Sequence, residues 1–520
     1  MKLKTFLLTL FIILGITDAG YLTYEHYSQV IPPCKVNRFL PIASDCGKVL
    51  RSSYSIMFGV PLAVFGVIQY SFLLIAIILF AIYRKKIFIY WLILQSAIGA
   101  IFSLYFIYIQ LVILNSICTY CMLSALLSFT IFFLVNKIFK KERFILRLSI
   151  IAFIYQKFIK PIFFLFDAEF IHNSHIFLGE LLGNSYFKKY INWKFNYSST
   201  KLKQKLVGIN FEGPIGLAAG FDYESRLTQI LYSIGFGFQS VGTITNLSYQ
   251  GNPPPRLGRL PRSRSLMVNK GFRNLGAEKT SKKLVLSGVE GFMIPMGISI
   301  GMSNNQSIDS TKKAIGDIVN SFKIFEKLKI KNSYYEINIS CPNLLNTDVD
   351  FYKPENFNQL LQSIKRLKLK KPIFVKMPIS IPDREFVSLL NVVIKYKFVK
   401  GVIIGNLWKD RKSKLLDKQE VKKFSVGSFS GKPCEKRSNE LIKLTYKKFG
   451  KKLLIIGCGG VFNGQDAYEK IKLGASLIQM ITGMIYQGPQ IISQINLELE
   501  ELLEKDGFKN IKDAIGYENN

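Results

Sequence analysis

The sequence predicts a membrane four-helix bundle followed by an α/β (β/α)8 TIM barrel that carries an N-terminal membrane-associated helical extension. Three observations carry this expectation. The apolar excess lies at the front, in four stretches of roughly 20 residues, the length that crosses a bilayer. From about Lys203 onward, eight short apolar runs alternate with amphipathic helical segments, the pattern of a parallel barrel. The 520 residues are 49% hydrophobic and 20% charged, enough apolar mass for large cores. That composition excludes a disordered chain, a collagen and a disulfide-dense miniprotein.

The apolar stretches are Phe6–Tyr24, Val60–Tyr83, Ile87–Leu114 and Thr119–Phe139. The first begins MKLK like a signal peptide and holds Asp18, but it lacks a small-residue cleavage site. With three more spans following, it reads as a retained helix. Lys2, Lys4, Arg84, Lys85, Lys86, Lys137, Lys140, Lys141 and Arg143 would share one side of the membrane. Lys35, Arg38, Lys48 and Arg51 would share the other. This nine-to-four bias places both ends of the bundle in the cytoplasm and the loop from about Glu25 to Met57 on the periplasmic side. The expected domains are 1–143 for the bundle, 144–200 for an amphipathic helical segment and 201–520 for the barrel.

Four of the seven cysteines lie in the bundle. Cys34 and Cys46 fall in the outward loop, and Cys118 and Cys121 form CTYC at the outer end of the fourth helix. A helix N-terminus favours thiolate through its unpaired amides and dipole. A second pair on the same side can relay disulfides to it by thiol–disulfide exchange. The residues alone leave open two purely structural disulfides. Zinc is disfavoured, because the loop pair is twelve apart and other ligands are few; no metal site is expected.

The segments SDCGKVLRSSYSIMFGVPLAVFG and CTYCMLSALLSF resemble the vitamin K epoxide reductase family, bacterial type, over roughly residues 5–140. That resemblance implies that Cys118 and Cys121 reduce a quinone inside the bundle. Cys34 and Cys46 would be the shuttle that takes electrons from a separate periplasmic thioredoxin-fold thiol partner. It implies a multi-pass protein of the bacterial inner (cell) membrane.

The expected strands are Ile215–Ala218, Phe238–Val241, Ile294–Ile300, Tyr335–Ile339, Ile373–Met377, Gly401–Ile404, Leu453–Gly457 and Leu477–Ile481. Chemistry in such a barrel sits at the strand C-terminal ends. GLAAGFD, VGTIT, NISCPN, VKMP, GSFSG, GCGG and Thr482–Gly483 all fall there. The late glycines suit a phosphate, because loops without side chains present backbone amides.

Taken in order, these motifs resemble the dihydroorotate dehydrogenase family, an FMN enzyme, over about residues 155–505. The segment YQKFIKPIFFLFDAEFIHNSHIFLGELL (Tyr155–Leu182) resembles the amino-terminal helices of its class 2, quinone-dependent members, which lie on membrane lipid and form a quinone tunnel. The resemblance implies hydride transfer from a dihydropyrimidine-like substrate to FMN, then electron transfer to a quinone (ubiquinone or menaquinone), as in pyrimidine biosynthesis. It assigns Cys341 as the base, and Asn338, Asn343 and Asn406 as substrate ligands. FMN would meet Ala218, Ala219, Gly220, Thr243, Ser299, Asn338, Lys376, Gly431, Gly459, Gly460, Thr482 and Gly483. Quinone would meet His172 and Arg259. Cys434 and Cys458 read as structural.

The departures are specific. Cysteine at the base position belongs to class 1, so a class 2 frame carries a class 1 base. The lysine expected after Gly-Phe-Asp is Tyr223, and the expected asparagine before the Met-Gly-Phe-like segment is Val268, with Asn269 one step away. Ser299, Leu407 and Ile481 also depart from the pattern. These changes open the alternatives of another substrate or a non-catalytic flavin module. The net charge of +34 divides into +9 for residues 1–143 and +25 for the remainder. Its basic residues are spread out, which fits an anionic lipid surface and not a nucleic acid.

Overall fold

The structure, a computed structural model, describes residues 2–32, 45–288, 291–344 and 349–519. Cys34 lies outside the described residues. The chain forms two compact units, residues 1–150 and 151–520.

In the first unit, long helices form where apolar residues run without breakers. They are α1 (Lys2–Ser28), the short α2 (Cys46–Leu50), α3 (Leu62–Tyr83), α4 (Lys86–Tyr108, continued by a π turn over Ile109–Ile113) and α5 (Thr119–Ile138). Helix α1 packs on α3 and α5, and α4 packs on the same two. Leu8, Ile12, Tyr70, Leu73, Leu92, Ile131 and Val135 form the interior. Large apolar side chains such as Phe6, Ile75, Ile82, Leu94 and Phe133 point outward, as a lipid-facing surface requires. Asp18, the acidic residue in the first span, is buried inside the bundle instead of facing outward.

Besides these four spans, a fifth helical stretch, Lys140–Leu165, is long and apolar enough to cross a membrane. It comprises α6 (Lys140–Ile154), a π turn over Tyr155–Ile159 and α7 (Lys160–Leu165). Its second half is docked on protein. The Tyr155 hydroxyl donates to the Ile485 carbonyl at 2.7 Å, Gln156 bonds Gln487, and Phe164 meets the Tyr486 ring edge-on at 5.6 Å.

The second unit is built on a closed barrel of eight parallel strands. They are β1 (Ile215–Leu217), β2 (Phe238–Ile244), β3 (Met296–Ile300), β4 (Tyr334–Asn338), β5 (Ile373–Met377), β6 (Val399–Ile404), β7 (Leu454–Cys458) and β8 (Leu477–Met480). All eight expected strands are present in the expected order; Ile373–Met377 has the expected ends, and the other seven are shifted at one or both ends by a residue or more. Both faces of such strands are covered, so they read as continuous apolar runs. Closure is made where β8 pairs with β1, with Ile478 opposite Ile215 and Met480 opposite Leu217.

Helix α8 (Ala168–Gly183) lies against this barrel, followed by α9 (Phe187–Phe195). Asp167 caps α8 through the amides of Glu169 and Phe170. Glu169 is held by Arg256 at 2.9 Å and Arg273 at 2.7 Å, and Glu180 by Arg226 at 2.6 Å and Lys283 at 3.3 Å. Two doubly paired carboxylates thus fix the helix that carries His172.

Close backbone approach makes one glycine a sharp test of the barrel. A Cβ on Gly237 would sit 2.2 Å from the Gly213 carbonyl oxygen, whereas one on Gly316, inside a helix, would meet nothing within 4 Å. Gly237→Ala is expected to destabilise the unit by about 1–3 kcal/mol or more through overpacking. Gly316→Ala is expected to stabilise it by about 0.5–1 kcal/mol. Urea midpoints of the detergent-solubilised chain check both.

Candidate functional site

Barrel closure brings residues distant in sequence around one cavity at the strand C-terminal ends. Its wall includes Ala218, Ala219 and Gly220 after β1, Thr243 of β2, Asn338 of β4, Lys376 of β5, Asn406 after β6, Gly459 and Gly460 after β7, and Thr482 and Gly483 after β8. Gly431, Cys341 and Asn343 complete the group. Asp222 ties down the first of these loops by accepting from the amides of Arg226 and Leu227, each at 2.9 Å.

The late glycines let the loops pack directly on one another. A Cβ on Gly483 would meet the Val461 carbonyl oxygen at 2.1 Å, and one on Gly460 would meet Glu435 Cβ at 2.3 Å. The cavity is therefore lined there by backbone, which suits a phosphate. Lys376 is buried and its Nζ donates to the Ala219 carbonyl at a long 3.4 Å. A buried ammonium so lightly held, beside a glycine-lined wall, fits an anionic, electron-accepting group such as FMN.

The amides are partly engaged. Asn338 donates to Thr243 at 2.8 Å, Asn343 to the Val268 carbonyl at 2.8 Å, and Asn406 to the Ser340 carbonyl at 2.9 Å. Their oxygens are engaged as well: Asn338 Oδ1 accepts from Ser340, Asn343 Oδ1 from the Ser428 hydroxyl at 3.1 Å and Asn406 Oδ1 from the Leu407 amide at 2.9 Å. Burial pushes the Cys341 thiol up to about 11, opposed by the positive charge of Lys376 and Lys409. Cys434 and Cys458 also line the wall. Cys434 is buried and its thiol contacts the Asn406 carbonyl at 3.2 Å, which supports that loop.

Three assigned or adjacent residues fall elsewhere. Ser299 is fully buried behind the wall, its hydroxyl 3.0 Å from that of Thr243. Asn269 pairs with Asn252 at 3.0 Å and does not replace the asparagine missing at Val268. Arg259 donates to the Phe166 carbonyl at 2.7 Å and lies over the Phe164 ring, away from the cavity wall and against the helical extension. His172 does line the cavity. It packs on Phe221 and Tyr223, and its Nε2 is buried without a hydrogen-bond partner. Burial and the Lys270 charge hold its imidazole well below the usual range, so it is neutral.

Lys270 was not singled out from sequence. It is 5% exposed and lines the cavity, with its ammonium hydrogen-bonded to the Tyr223 hydroxyl. The available signal was a lysine directly before Gly271, whose positive φ of 62° turns the chain at that point.

The first unit contains a second site. Cys118 caps α5, its Sγ accepting from the Cys121 amide at 3.4 Å, and hydrogen bonding from the Cys121 thiol lowers its pKa below the ordinary thiol value. Cys46, at the start of α2, is disulfide-bonded and packs in one buried cluster with Cys118 and Val49. The Asp45 amide donates to the Ile117 carbonyl at 3.1 Å, which seats α2 on this turn. Cys121 lines a cavity of about 400 Å³ with Ser52, Tyr54, Ser55, Tyr70 and Gln110. The CTYC pair thus connects the loop side, through Cys118, to the bundle cavity, through Cys121.

A closed barrel with a glycine-lined, lysine-bearing strand-end cavity, preceded by a bundle with a CxxC pair, defines a two-domain oxidoreductase. The family model described as "Dihydroorotate dehydrogenase" matches residues 201–503, and that of the "Vitamin K epoxide reductase family" matches residues 6–136. The chain belongs to the dihydroorotate dehydrogenase family, with a vitamin K epoxide reductase family domain joined ahead of it. Dihydroorotate dehydrogenase (quinone) of Nostoc punctiforme is 34% identical over 380 residues, covering 70% of this chain and 98% of that protein. The protein of the same description from Trichodesmium erythraeum is 35% identical over 339 residues, covering 62% and 85%. The crystal structure of DHODH with ferulenol from Eimeria tenella aligns with a TM-score of 0.61 at 25% identity, covering 68% of this chain and 96% of that one.

The geometry of the thiol site predicts a trapped exchange. With Cys121→Ser, a Cys118 thiolate that attacks the Cys46 disulfide has no resolving partner and stays cross-linked. Non-reducing peptide mapping is expected to recover a Cys46–Cys118 disulfide in this variant and not in Cys118→Ser.

Proposed function

We propose that the barrel oxidises dihydroorotate to orotate using FMN and passes the electrons to membrane quinone, while the bundle oxidises thiols and delivers their electrons to quinone. The observation that carries the first part is the convergence of Cys341, Asn338, Asn343, Asn406 and Lys376 on one glycine-lined cavity. FMN, when bound, supplies two-electron acceptance from the substrate. Gly431, Gly459, Gly460 and Gly483 would hold its phosphate by backbone amides. Lys376 would place its charge where the reduced cofactor is electron-rich.

Asn338, Asn343 and Asn406 would orient the substrate ring through its amide groups. Sγ of Cys341 would take the proton from the substrate carbon. At about 11 this thiol is protonated at neutral pH, so only a small thiolate fraction acts as base. The unpaired Nε2 of His172 offers a neutral contact for a quinone carbonyl, with Arg259 nearer the membrane-facing helices α7 and α8.

In the bundle, Cys118 would exchange with the Cys34/Cys46 pair, and Cys121 would face the quinone. A periplasmic thioredoxin-fold protein would reload the loop pair. The nine-to-four basic bias and the docking of Tyr155–Phe164 on the barrel favour an extension lying at the cytoplasmic membrane surface over a fifth span. Alkaline phosphatase fused at the carboxyl end is expected to remain inactive in cells; an active fusion overturns this sidedness.

The chain purified in detergent is expected to retain FMN and to reduce a quinone analogue with dihydroorotate. Bound FMN without such turnover assigns another substrate. Cys341→Ala is expected to slow flavin reduction at least about 100-fold. Below its pKa the thiolate fraction rises tenfold per pH unit, so the single-turnover rate should climb steadily from pH 6 to 9. A flat profile overturns the thiolate base.

A further inference from the structure

The cavity holds a second buried cation that the mechanism above leaves without a task. Lys270 has no ion pair among the described residues. The nearby acids are committed: Glu169 is held by Arg256 and Arg273, and Asp167 caps α8. The ammonium contacts the Tyr223 hydroxyl, which accepts from it, and the Tyr223 ring, whose centre lies 4.5 Å away. Because the Tyr223 oxygen accepts from Lys270, its own proton is directed elsewhere. The chain thus presents an ammonium and a phenol side by side on the wall that also carries Asn338, Cys341 and Asn343. Burial brings Lys270 down to about 7, which marks a site that holds positive charge at a cost until an anion arrives.

We infer that Lys270, supported by Tyr223, is the residue that binds the carboxylate of the substrate and selects anionic over neutral pyrimidines. A carboxylate can accept from both donors at once, and either donor alone would leave the other uncompensated in the cavity. The position after Gly-Phe-Asp then carries a platform, and the charge comes from the loop after Val268. Lys376 is a separate cation, held at the Ala219 carbonyl. Gly271 permits this arrangement. A Cβ there would lie 2.3 Å from Asn252 Oδ1 and 2.7 Å from Asn304 Nδ2, so only glycine lets the loop seat with Lys270 at the wall.

This inference rests on the dihydroorotate reading and deepens it. The experiment titrates orotate and uracil into the detergent-solubilised full-length flavoprotein, following the flavin absorbance, for wild type, Lys270→Met and Lys270→Arg. FMN content is measured for each. Wild type is expected to bind orotate more tightly than uracil. In Lys270→Met, orotate affinity should fall at least about tenfold, the loss of one charge-assisted hydrogen bond. Uracil affinity and FMN content should not change, and Lys270→Arg should keep most of the preference. Unchanged orotate affinity in Lys270→Met, or an equal loss for orotate and uracil, overturns the assignment. A wild-type protein that binds FMN but no orotate instead sinks the dihydroorotate reading itself.

Discussion

Closure of the barrel is the constraint on which the rest depends. Leu477–Met480 pairs with Ile215–Leu217, the last barrel strand with the first, and only then do the strand ends form a ring. The closing strand also enters a buried polar network. Gln479 donates to Glu336 at 2.7 Å and to Ser240 at 3.0 Å, while Tyr334 donates to the Gln239 carbonyl at 2.9 Å. Burial raises the Glu336 carboxyl and the Lys376 charge opposes that rise. A buried network of this kind favours one register, because slipping a strand would leave several polar groups unpaired at once. The cavity wall is therefore a consequence of pairing geometry, and its residues need no proximity in the chain.

The two units solve a shared chemical problem with different materials. The barrel gathers buried cations, glycine-lined loops and amides for anionic, electron-accepting chemistry. The bundle places a thiol pair at a helix start, where Cys118 meets the loop side and Cys121 meets the cavity. A common quinone acceptor would let both reactions discharge into one membrane pool, and the tether raises the local concentration of each unit at that membrane.

Much of this was legible in the residues. Eight apolar runs separated by helical periodicity located every barrel strand, and CTYC marked the helix start in the bundle. The motifs holding Ala218, Thr243, Asn338, Cys341 and Lys376 stood out at strand ends, and the family resemblance assigned these residues to the site. Ser299 sits near a strand end too, yet it is fully buried, and it is its hydrogen-bond partner Thr243 that lines the cavity. Asn269 is one residue from the expected position, and on an extended chain one residue turns a side chain to the other face. Lys270 carried no sequence signal beyond its neighbour Gly271.

The sequence by itself determined the division into an apolar bundle and a basic barrel, the strand order and the chemistry available in each part. These follow from periodicity and composition, which are local. The tertiary structure alone decided which groups share a cavity. It packed Cys46 with Cys118, left His172 Nε2 unpaired, and set the Lys270 ammonium against Tyr223. Those pairings join residues tens of positions apart, and their geometry exists only once the helices have packed and the barrel has closed.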